Sequence, residues 1–140
     1  MDADLAFQIA NAVALWGWIA LLASPLMPLW SDRIATYLIP ALLSAAYAAL
    51  VVLFFRGAEG GYFTLDDVMR LFARKEVVLA GWLHVLAFDL FVGAWIIRTA
   101  RQDGIPFLRA ALCLPLAFLF GPAGLLAYFG VRWLTLGRVA

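Results

Sequence analysis

Charge is scarce in this chain. Asp, Glu, Lys and Arg make up 14% of its 140 residues, against about 25% in an ordinary soluble domain. Ten basic and nine acidic residues leave a net charge of +1, so no electrostatic footprint for nucleic acid is present. The single cysteine, Cys113, makes neither an internal disulfide nor a thiolate metal cage. The single histidine, His84, argues against a multi-His metal or haem site within one chain. No metal site and no redox-cofactor motif is expected. The opening Met1-Asp2-Ala3-Asp4 lacks the basic segment of a signal peptide, and no Arg/Ser-rich transit segment precedes the first apolar run. The chain therefore reads as mature from residue 1.

What the chain has in excess is apolar surface. Hydrophobic residues make up 66% of it, more than so short a chain can bury in water. This composition excludes a soluble enzyme, a disordered tail and a disulfide scaffold, and leaves an integral membrane protein. Four apolar stretches, 5–24, 37–55, 77–97 and 108–131, are each long enough to cross about 30 Å of hydrocarbon as a helix. A spanning chain satisfies its backbone internally, so all four are expected to be helical. The expected fold is an all-α bundle of four transmembrane helices, one domain over residues 1–140. The longer connection between the second and third stretches holds Thr64-Leu65-Asp66-Asp67, a cap followed by first-turn acids. Val68, Leu71 and Phe72 follow at helical spacing, opposite Arg70, Arg74 and Lys75, which predicts a short amphipathic helix at the membrane surface.

Four crossings put the N-terminus, the middle connection and the C-terminus on one side. That side then carries Arg56, Arg70, Arg74, Lys75, Arg132 and Arg138, against Arg33, Arg98, Arg101 and Arg109 on the other. Six against four favours the N-terminus inside.

Polar groups within a span mark function or packing. Asn11, Tyr47, His84 and Tyr128 fall in the same half of the four-span layout, and Asp89 falls near its middle. Asp89 is the strongest signal, because a carboxylate at that depth needs a partner and is a natural acid or base. The other reading of Asp89 is a helix–helix hydrogen bond that fixes packing. His84 lies five residues earlier, about 140° around the helix, so the two do not share a face. His84, Phe88, Phe91 and Trp95 form one stripe. Trp16 and Trp18 sit deep in the first stretch, where they line an apolar pocket or pack the bundle. Gly121-Pro122-Ala123-Gly124 interrupts the fourth stretch and frees a backbone carbonyl. Small-residue ridges at Ala10/Ala14 and Ala41/Ala45/Ala49 suit close helix contact, within one chain, in a homo-oligomer or in a larger membrane complex.

Two runs resemble a known family. Gly81-Trp82-Leu83-His84-Val85-Leu86-Ala87-Phe88-Asp89-Leu90-Phe91-Val92-Gly93 resembles the signature of the ABA4-like membrane proteins. Pro115-Leu116-Ala117-Phe118-Leu119-Phe120-Gly121-Pro122-Ala123-Gly124 resembles their second block. The plant members are chloroplast membrane proteins implicated in making neoxanthin from violaxanthin. This chain looks like a short bacterial member, of the inner membrane. The resemblance implies a carotenoid or similar lipid-like pigment as ligand, and a neoxanthin-synthase-like isomerisation that needs an acid and a base but no redox cofactor. On that expectation Asp89 and His84 are the catalytic pair. Asn11, Trp16, Trp18, Tyr47, Phe88, Pro122 and Tyr128 would line the substrate site. The competing expectation is a non-catalytic pigment-binding or assembly subunit, motivated by the aromatic stripe beside His84.

Overall fold

The computed structural model describes residues 2–137, and all regular structure among them is helical. Three helical stretches are long and apolar enough to cross a membrane: Ala3–Leu22, Pro28–Phe54 and Lys75–Gln102. Helix α1 (Ala3–Leu22) is capped by Asp2, whose side chain accepts the amides of Asp4 and Leu5. The second stretch comprises α2 (Pro28–Ser31), a π-helical segment (Asp32–Leu38) and α3 (Ile39–Phe54). The π segment ends just before Pro40, whose ring would meet the Thr36 carbonyl in a regular α-turn. A wider turn relieves that clash. The capped helix expected in the middle connection forms as α4 (Leu65–Leu71). Thr64 Oγ1 accepts the Asp67 amide at 3.1 Å, and Leu71 is its buried residue.

Helix α5 (Lys75–Gln102), about 42 Å long, is the axis of the molecule. It contacts α1, α3 and the C-terminal helices. The α1 crossing is close. A side chain at Gly17 would strike Leu90, and one at Gly93 would strike the Trp18 ring. One end of the bundle gathers Asp4 with Lys75 and Arg74 with the Phe54 carbonyl. The other end gathers Asp32 with Arg101 at 2.9 Å.

The fourth stretch departs from expectation. It is not one helix over 108–131 but three shorter ones: α6 (Phe107–Ala111), α7 (Leu114–Leu119) and α8 (Gly121–Leu136). The chain turns back at Phe120, whose φ of −145° and ψ of 67° are not helical. The returning arm lies on the first. A Cβ at Gly124 would enter the Ala117 backbone. The far ends of the two arms also meet, with Arg109 Nη1 donating to Thr135 Oγ1 at 3.5 Å. Arg132 Nη2 lies 2.8 Å from Asp103 Oδ2, just past the end of α5. The result is a hairpin whose base sits at the end of α5 and whose apex reaches its middle. Gly121-Pro122 was expected to kink a helix, and here it reverses the chain. Helical propensity and hydropathy do not distinguish one long helix from two antiparallel arms, so the reversal had no signal in composition.

Candidate functional site

The site is built on α5. Asp89 lies near the midpoint of that helix and is half-buried. It accepts a hydrogen bond from the Gly121 backbone N–H at the hairpin apex. The packing is so close that a Cβ at Gly121 would collide with the carboxylate. The two runs 81–93 and 115–124, far apart in sequence, therefore meet at Asp89 and Gly121.

Val78, Trp82, Val85 and Asp89, spaced by four, three and four residues, form one stripe along α5. The first three line a groove of about 510 Å³ between α3, the turn after it, α4 and α5. Tyr47, Tyr62, Phe72 and His84 complete most of its wall. Asp89 comes one turn beyond Val85 on the same stripe and is not among the residues that line the groove. This volume lies in the range of small-molecule sites, and its mostly apolar walls with a few polar groups are the usual composition of such sites. His84 is exposed, its ring 5.8 Å from Tyr47 and 4.7 Å from Phe88. The side chains of Tyr47, Tyr62 and His84 have no hydrogen-bond partner among the described residues, so their polar atoms remain available to a ligand.

The other sequence-predicted residues scatter. Asn11 donates to the Phe7 carbonyl at 2.7 Å and accepts from Trp82 Nε1 at 3.1 Å. It ties α1 to α5 at the groove's rim rather than reaching Asp89. Trp18 is buried, edge-on to Phe118 at 5.4 Å, and packs α1 against α5 and the hairpin. Trp16 faces outward with 67% of its surface exposed. Pro122 is exposed at the hairpin apex. Tyr128 is fully buried, edge-on to Trp95 at 5.6 Å. The hairpin carries it against Trp95, in the half of α5 that ends at Gln102, the opposite half from the one the four-span layout gave it. Ala41, Ala45 and Ala49 are exposed, whereas Ala10 and Ala14 are buried.

Sequence reasoning assigned none of Phe72, Val78, Trp82 and Val85 to the site, and it also missed Tyr62 and Gly121. Tyr62 stands in a glycine-rich turn with no periodicity, stacked on Phe55 at 6.1 Å. Gly121 carried a signal, the Gly-Pro break, but its partner was not legible.

These two runs come from a chain whose residues 5–128 match the model of the ABA4-like family, ABA DEFICIENT 4-like. The chain belongs to the ABA4-like family. No curated protein and no solved structure matches it. In this ABA4-like protein, the turn at residues 120–121 and the carboxylate it rests on both lie inside the matched segment.

Proposed function

We propose that this ABA4-like protein sits in a bacterial inner membrane and binds a carotenoid-like polyene along α5, with α4 at the membrane surface. Entry is sideways from the lipid. The observation that carries this reading is the aromatic-walled groove, whose α5 residues Val78, Trp82 and Val85 share one stripe with Asp89. A flat, apolar end group suits ring-lined walls, and the three unpartnered polar side chains supply hydrogen bonds to its oxygens.

The reaction proposed is an isomerisation of the neoxanthin-synthase type. A proton goes to an epoxide oxygen, and the adjacent C–O bond breaks. A proton then leaves the neighbouring polyene carbon, and its electron pair closes the allene. The alcohol oxygen keeps the first proton. Nothing is oxidised or reduced overall. His84 and Asp89 face different directions, so they do not act as a hydrogen-bonded dyad. One carboxyl suffices: the Asp89 oxygen not bonded to Gly121 gives the first proton and recovers the second. His84 and Tyr47 orient the end group.

The test is the absorption spectrum and solvent extract of protein purified in mild detergent from carotenoid-producing membranes. A bound polyene is expected in the wild type. Asp89→Asn is expected to keep pigment and lose conversion, and His84→Ala to hold less pigment. A pigment-free wild-type protein contradicts the reading. The ring cluster of His84, Tyr47 and Phe88 also favours a second reading, a pigment-binding or assembly subunit. There, pigment copurifies, and both variants leave the cellular carotenoid profile unchanged.

A further inference from the structure

The amide accounting at the hairpin apex singles out Asp89 for a second role. A helix start leaves its first amides without intrahelical acceptors. In α8, Pro122 has no N–H to satisfy. The Ala123 and Gly124 amides both donate to the Phe120 carbonyl, at 2.7 and 3.3 Å. The Phe120 amide donates back to Leu116 at 2.7 Å. Only the Gly121 N–H is left over, and α8 has no capping side chain of its own. Its acceptor comes from another helix.

We infer that Asp89 is a positioning residue that seats the hairpin, an interhelical cap whose carboxyl oxygen closes the start of α8 from the middle of α5. The base of the hairpin is held by the Arg132–Asp103 pair and by Arg109 on Thr135. At the apex, apolar contacts such as Trp18 on Phe118 hold the arms laterally. The Gly121–Asp89 bond sets how deep the apex sits. Glycine is required at 121 because any side chain would occupy the carboxyl's place. This role stands apart from proton transfer. An acceptor oxygen is enough for it, and an Asn side chain supplies one.

Cys113, the single cysteine, lies buried between α6 and α7 and serves as a native reporter of hairpin seating. The experiment follows its alkylation by N-ethylmaleimide in ligand-free, detergent-purified full-length protein, with helicity and monodispersity checked for each variant. Wild type and Asp89→Asn are expected to react equally slowly. Asp89→Ala is expected to react about tenfold faster, as one buried donor loses its acceptor and local opening is favoured. Gly121→Ala, which leaves Asp89 intact but displaces it, is expected to match Asp89→Ala. Wild-type rates in both alanine variants overturn the assignment, and so does an Asp89→Asn rate equal to that of Asp89→Ala. If Asp89→Ala fails to fold, Gly121→Ala against Asp89→Asn decides alone. No ligand is involved, so the outcome is independent of whether a polyene binds.

Discussion

Tyr128 is the largest fully buried side chain among the described residues, and its hydroxyl has no hydrogen-bond partner there. A buried hydroxyl without a partner loses water and gains nothing in exchange. Tyr128→Phe keeps the ring against Trp95 and removes that penalty. Its thermal midpoint in detergent is expected to equal or exceed the wild type's, by about 1 kcal/mol at most. A clear loss would mean that the hydroxyl is engaged. Gly93 predicts the opposite sign. It admits the Trp18 ring to the α5 backbone, so Gly93→Val should cost roughly 1–3 kcal/mol, as overpacking usually does. The same measurement checks it.

At the scale of elements, the hairpin separates interactions that matter from those that do not. The Arg132 and Asp103 side chains are 10% and 14% exposed, whereas Lys75 and Asp4 are 64% and 71% exposed. Breaking a buried pair strands the remaining charge, so Asp103→Asn is expected to destabilise by about 3–5 kcal/mol. Lys75→Gln is expected to leave the midpoint unchanged, since exposed pairs contribute little. A comparable loss in both variants would contradict the burial seen at the hairpin base. The elements were unevenly legible. The three long helices and the Thr64 cap followed from hydropathy and capping chemistry, which are local. The depth of Asp89 followed from its place within an apolar run. The chain reversal at Phe120 did not, because antiparallel arms and one long helix share the same apolar composition. The Asp89–Gly121 contact did not either, because it joins residues 32 positions apart. Connectivity gave a site with Tyr128 in it, and the reversal took Tyr128 out and put Gly121 in.

For the whole molecule, the reversal changes which ends share a side. Three helices long enough to cross and a returning hairpin place the end of α8 beside the 103–106 turn, opposite the 57–64 turn. Among the described residues the basic count becomes Arg56, Arg70, Arg74 and Lys75 against Arg33, Arg98, Arg101, Arg109 and Arg132. Arg138 lies outside the described residues. Four against five removes the bias that had favoured the N-terminus inside, so charge no longer orients the protein. The place of Asp89 depends on this path, because a hairpin that turns back at Phe120 brings its apex to that carboxylate. Labelling from one side tests it most directly. On a Cys113→Ser background in sealed vesicles, single cysteines are introduced as Glu59→Cys, Gln102→Cys and Thr135→Cys and exposed to an impermeant maleimide. Thr135→Cys labelling from the same side as Gln102→Cys, and opposite Glu59→Cys, is the predicted result. Labelling of Thr135→Cys from the Glu59→Cys side would mean a fourth crossing and would contradict the account.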